Sequence, residues 1–286
     1  MGYLNNRTIN HLNIHAALLT LLEQANVLFA PIYFYQLGFS LPEVFLLLAV
    51  LNGARIPLRL LTFPVVRLFG LKAGLIIGTA GFCLTFPIMA MTQGYDIWLA
   101  VYIFMFGIFC SMYWHCYHTF YSLAGEHEHR GKHISVAMSL SAGVSAIAPL
   151  LGSLFITSEG FGNYFLLAVP ILVVMICILS GCQDIKINHR IKWKQGKKLI
   201  FSRGARIHIA EASAYYPMNI SWLFLIYFYV GKLAILGGIM TFGIIVQVIY
   251  QLWIGKIIDS GRGKYVAHIA GGLRLAQVLG RVFLPL

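Results

Sequence analysis

The sequence is short of charge. Only 10% of its 286 residues are Asp, Glu, Lys or Arg, against about 25% in an ordinary soluble domain. Acidic residues are the scarcer kind, 9 beside 21 Lys and Arg. With a mean hydropathy of +0.79, such a chain cannot shield its apolar surface in water. A soluble globular domain is excluded, and lipid is left as the solvent. Five cysteines are present (Cys83, Cys110, Cys116, Cys177 and Cys182) and none forms a C-x-x-C pair, so their plain reading is as small residues packed in a membrane interior. No Gly-rich loop of the P-loop type occurs, which argues against chemistry driven by ATP on this chain. A cleavable leader is also missing. The first ten residues are polar, and the first apolar segment is too long for a leader core and carries Glu23, Gln24 and Asn26. It is expected to stay as a membrane helix.

What the sequence does have is apolar length. A spanning helix needs about 20 mostly apolar residues. Nine segments qualify: 14–37, 41–66, 72–92, 97–122, 134–157, 162–181, 207–231, 235–255 and 265–286. The fold class expected is an all-α polytopic membrane protein. Its basic residues set the orientation. With the N-terminus in the cytoplasm, sixteen of the 21 Lys and Arg fall in cytoplasmic segments, Lys232 alone falls outside, and four arginines lie within helices. That asymmetry predicts a multi-pass protein of the cell (inner or plasma) membrane with a cytoplasmic N-terminus. The net charge of +12 then faces anionic lipid headgroups, and nucleic acid is not an expected partner.

The chain also repeats itself. Ile32-Tyr33-Phe34-Tyr35 recurs as Ile226-Tyr227-Phe228-Tyr229, 194 residues later. Each copy sits near the end of a long apolar segment that has an Ile-His pair near its start, Ile14-His15 and Ile207-His208. Between the copies lies the only long polar stretch, 182–206, which is basic and is expected to lie on the membrane as a short amphipathic helix. The organisation predicted is an N-terminal six-helix half over 1–181, a basic cytoplasmic linker over 182–206 and a partial C-terminal half of three helices over 207–286. Two related halves in a polytopic membrane protein are the mark of a transporter.

In this layout the chain resembles the major facilitator superfamily, whose members have two six-helix halves joined by a cytoplasmic linker. The family's loop signature, G-x-L-x-D-R-x-G-R-K, has its better copy at Gly255-Lys256-Ile257-Ile258-Asp259, followed by Gly261-Arg262-Gly263-Lys264. The resemblance implies that Asp259 braces a cytoplasmic helix end and that Arg262 and Lys264 pair with carboxylates or headgroups. In the other copy Gly70 and Lys72 fit, while Arg67 stands in place of the Asp and Phe63 in place of the first Gly. Gly143, Ala148-Pro149 and Gly152-Ser153 in the fifth segment resemble the G-P-x-x-G-G motif of drug/proton antiporters in the same superfamily. Close packing of small residues is the plain reading of Gly143, Pro149 and Gly152. The superfamily usually has twelve helices. Since the second half here stops after three, a fragment or a shortened form is expected.

Ionisable groups within the membrane are functional candidates by default. Glu23, beside Gln24 and Asn26, reads as a proton carrier or as a structural carboxylate paired with Arg55. Asn52, Arg55 and Arg59 share one helix face by spacing, which is expected to line the bundle interior. Arg55 either binds an anionic group of the substrate or neutralises Glu23. His115 and His118 share a face of the fourth segment, as cavity contacts or proton relays, while Trp114 and its neighbouring tyrosines read as an interfacial belt. Glu211 reads as a helix-start carboxylate. The loop with His127 and His129 lacks the H-E-x-x-H spacing of a zinc protease, and a solvated turn is the plain reading.

The function expected is secondary active transport of a small organic solute by alternating access, with proton-coupled efflux as the finer form. Substrate and protons are the expected partners, and no cofactor or metal is called for. Two other classes compete: a membrane-embedded metal-dependent enzyme using His115, His118, His127 and His129, and a non-transporting scaffold.

Overall fold

The computed structural model describes residues 6–24, 28–125, 130–185, 202–257 and 263–282. All regular structure among them is helical. The elements are α1 (Arg7–Gln24), α2 (Ala30–Gln36), α3 (Leu41–Leu58) with a 3-10 turn over Arg59–Leu61, α4 (Thr62–Met91), α5 (Ile97–Ala124), α6 (Arg130–Leu166), α7 (Ala168–Ser180), α8 (Arg203–Val230), α9 (Leu233–Ile257) and α10 (Gly263–Val282).

Local chemistry sets the boundaries. The first helix begins seven residues before the first apolar segment, because Asn6 caps it. Its Oδ1 accepts from the Ile9 N–H at 3.1 Å, while its amide donates to the Ala124 carbonyl at 3.0 Å. Ser40 and Glu43 form a capping box at the start of α3, with Pro42 in its first turn. Asp96 caps α5 by accepting from the Leu99 N–H at 2.8 Å. Two long helices are bent back on themselves at single glycines, Gly70 and Gly160. The α4 backbone turns at Gly70 (φ 87°, ψ 172°) and the α6 backbone at Gly160 (φ 82°, ψ 168°). A Cβ on Gly74 would lie 3.1 Å from the Val66 side chain, although eight residues of straight helix span about 12 Å. Phe155 and Tyr164 likewise bring their rings to 6.3 Å. The second and third apolar segments thus meet at Gly70, and the fifth and sixth at Gly160.

Four stretches are long and apolar enough to cross a membrane: Leu41–Met91, Ile97–Ala124, His133–Leu166 and Leu233–Tyr250. Large apolar side chains are exposed on their outer faces, among them Ile56, Phe104, Met138 and Phe242. Aqueous exposure of this kind is unfavourable for a soluble fold and natural for one in lipid. The core is aromatic. Phe34, Phe82, Phe86, Tyr102, Tyr113, Phe120 and Phe165 are fully buried. Small residues let backbones approach: a Cβ on Gly78 of α4 would sit 2.6 Å from the Tyr113 backbone nitrogen of α5. Across the chain, Gly237 of α9 rests against Ser153 and Pro149 of α6, and the Leu150 N–H donates to Thr241 Oγ1 at 3.1 Å.

The two copies of Ile-Tyr-Phe-Tyr also approach each other. Tyr35 of α2 meets Phe224 and Phe228 of α8 at centroid distances of 5.7 and 5.3 Å. Phe45 of α3 adds a 6.5 Å contact with Phe224, and Gln36 donates to the Tyr227 hydroxyl at 2.9 Å.

Candidate functional site

Glu23 occupies the last turn of α1 and is half-buried, with Gln24 beside it. Two groups act on its carboxylate: first the Arg55 charge of α3, then the Trp114 indole of α5, which has only an N–H to offer it. Arg55 is half-buried and is fixed from several sides. Its Nη1 donates to Asn52 Oδ1 at 3.3 Å, and the Asn52 amide donates to the Leu48 carbonyl at 2.8 Å. The guanidinium lies 6.0 Å from the Phe106 ring centroid, and Ser111 Oγ donates to the Arg55 carbonyl at 3.2 Å.

Arg59 and Asn52 are exposed. The Arg59 charge reaches both His115 and His118. His115 meets Phe63 edge-on at 4.8 Å, and His118 stacks on Trp114 at 5.1 Å. The structure therefore brings Glu23, Asn52, Arg55, Arg59, His115 and His118 to one wall made by α1, α3 and α5. Trp114 joins them, a side chain that sequence reasoning put in an interfacial belt. Its position one residue before His115 was the available signal.

A second polar cluster lies deeper. His15 is 0% exposed. Its Nε2 is 3.2 Å from Thr79 Oγ1, and its Nδ1 is 3.3 Å from the Tyr113 hydroxyl. Both ring nitrogens are thus satisfied between α1, α4 and α5, which suits a structural histidine.

Gly70 and Lys72 meet a partner that the sequence reading did not name. The Lys72 N–H donates to Asp184 Oδ1 at 3.0 Å, and its Nζ donates to the carbonyls of Ser180 and Cys182 at 2.8 and 2.7 Å. A cation on the last carbonyls of α7 complements the helix dipole. Asp184 also packs where a Cβ on Gly70 would be, its Oδ2 only 2.6 Å away. Of the small-residue set on α6, Gly152 faces Phe29 and Tyr164, Pro149 faces Gly237, and Gly143 has open space. Gly255 falls in α9, Lys264 in α10 and Glu211 in α8. Asn26, His127, His129, Asp259 and Arg262 lie outside the described residues.

The family model described as Major Facilitator Superfamily matches residues 14–286. A search of the curated proteins returns no match. A polytopic chain whose described residues form helices only agrees with a match over nearly its whole length: the chain belongs to the Major Facilitator Superfamily, whose members are secondary transporters rather than enzymes.

Proposed function

We propose that this chain moves a small organic solute across the cell membrane by alternating access, coupled to protons through Glu23. The observation that supports the reading is the Glu23 carboxylate of α1 within reach of the Arg55 charge of α3, on a wall that Trp114 shares. A carboxylate at membrane depth is costly when charged and alone. One with a cationic partner nearby can exchange that partner for a proton, which is what a coupling group must do. The aromatic contacts of Tyr35 and Phe45 with Phe224 and Phe228 then act as a seal at the outer ends of the two halves. The exposed Arg59 and His118 look toward the opposite, cytoplasmic side. This is an inward-open arrangement, with the N-terminus and the basic 182–206 linker at the cytoplasmic leaflet. Gly70, Lys72 and Asp184 brace the loop on that face, and Gly255, Asp259, Arg262 and Lys264 form its counterpart in the second half. Direction follows from binding order. If proton and solute compete for the site, the outcome is the proton-coupled efflux that the α6 resemblance implies; if they bind together, it is symport.

Proteoliposomes loaded with a pH-sensitive dye test the coupling. In the parent, a transported solute moves protons and accumulates against its gradient. Glu23→Gln keeps the shape of the side chain and cannot titrate, so it should retain solute exchange and lose both proton movement and accumulation. If Glu23→Gln accumulates solute uphill as well as the parent, the coupling role is wrong and Glu23 is a structural carboxylate.

A further inference from the structure

The wall around Glu23 carries more positive than negative charge. Arg55 and Arg59 stand one turn apart on it, and Arg59 is exposed. His115 and His118 stand across from Arg59, within reach of its charge. Two guanidiniums thus stand on this wall beside one carboxylate. Apolar surface flanks them, since Phe63 covers the edge of His115 and Trp114 stacks on His118. A fixed guanidinium at membrane depth calls for a partner, and its planar fork suits a carboxylate.

We propose that this wall binds a small organic anion, with its carboxylate held between Arg55 and Arg59 and its carbon frame against Phe63 and Trp114. The inference rests on the reading of Glu23 as the coupling group, and it names that site's substrate class. It also fixes the sign of coupling. Ionised Glu23 competes with the carboxylate of the solute for Arg55. A proton taken up from water onto a Glu23 carboxylate oxygen removes that competitor and frees the guanidinium. Proton and anion therefore strengthen each other's binding by the same factor, are carried in the same half-cycle and move in the same direction. Among the described residues, the groups that act on Glu23 are Arg55 of α3 and Trp114 of α5, and Cys110 and Tyr113 of α5 feel its charge. On α8, the side chains of His208, Glu211, Tyr215 and Tyr216 lie outside the description.

Thermal unfolding of the purified chain in detergent tests the proposal. The probes are benzoate, succinate and inorganic phosphate, with benzamide and benzylamine as the neutral and cationic counterparts of benzoate. Benzoate or succinate at millimolar concentration should raise the midpoint, more at acid than at neutral pH, while benzamide and benzylamine leave it unmoved. Arg59→Gln should weaken the apparent affinity for the anion about 10-fold or more, the loss of one charge-assisted hydrogen bond, and Arg59→Lys should retain part of it. Arg59 is exposed, so both variants should unfold near the parent midpoint without ligand. Glu23→Gln should bind the anion at neutral pH as the parent does in acid. Stabilisation by benzylamine in place of the carboxylates, a response confined to phosphate, no response to any carboxylate, or binding indifferent to Arg59→Gln each overturns the proposal. Anion binding that needs Arg59 but is blind to pH and to Glu23→Gln supports the anion site and sinks the coupling role of Glu23. Uncoupled transport in Glu23→Gln without carboxylate binding does the reverse.

Discussion

Position 70 shows how much one residue can fix. Its backbone sits at φ 87° and ψ 172°, a region that costs a side-chain-bearing residue about 1–3 kcal/mol. Its missing side chain also leaves room for the Asp184 carboxylate, which takes the Lys72 N–H. Gly70→Ala should therefore lower the unfolding midpoint through strain and through displacement of Asp184. Gly143 is the control. It lies within α6 with nothing within 4 Å of an added Cβ, so Gly143→Ala should be neutral or gain about 0.5–1 kcal/mol from helix propensity. Equal midpoint shifts for the two variants in detergent would show that neither the strain at Gly70 nor the Asp184 contact contributes. His15 teaches a similar lesson about burial. An imidazole with no exposure is tolerated because the Thr79 and Tyr113 hydroxyls satisfy it.

At the scale of the element, helix starts outside the membrane carry a pH dependence. Asp96 accepts backbone N–H bonds from Gln93 and Leu99, which hold its carboxyl below the ordinary carboxylate range. A group whose folded pKa is depressed stabilises the fold fully above its unfolded pKa, about 4 for Asp, and loses that contribution as pH falls through the lower folded value. The unfolding midpoint of the parent should accordingly drop in acid by more than that of Asp96→Asn, which has no charge to lose. Parallel midpoint curves for the two would show that Asp96 does not supply the dependence. These elements also mark what the sequence made legible. Apolar runs located the spans at 72–92 and 97–122 to within two residues of the structure, because lipid demands uninterrupted apolar helix there. The start of α1 was missed by seven residues, since capping by Asn6 is a polar event outside any apolar run. Arg55 and Glu23 stood out as charges in apolar surroundings. Asp184 did not, because it stands at the start of a polar linker as its first charged residue, and only the turn at Gly70 brings Lys72 to it. The place of Trp114 beside Glu23 was not legible either, as composition does not say which side chains an indole will neighbour.

For the molecule as a whole, orientation is the first thing to settle. With the exposed Cys177 replaced by Ser, single cysteines at Gln93 and Gly162 should label from outside intact cells, and cysteines at Gln183 and Gly196 only after permeabilisation. Gly162 has open space around it, whereas Gly160 has a backbone that Cys would strain. The opposite labelling pattern would invert the topology and place the aromatic seal in the cytoplasm. The turns at Gly70 and Gly160 have a consequence for how such a chain is made. They share nearly one conformation, and three membrane crossings separate them, so they lie on opposite faces. The turn at Gly160 gives the insertion machinery only a short tip to thread through the bilayer. The two arms of α6 should thus enter lipid together as a hairpin, with Glu159 the one charge to be carried across at its tip. For this segment biogenesis then proceeds by pairs of helices, and a glycine that bends the backbone also sets the unit in which the ribosome delivers it.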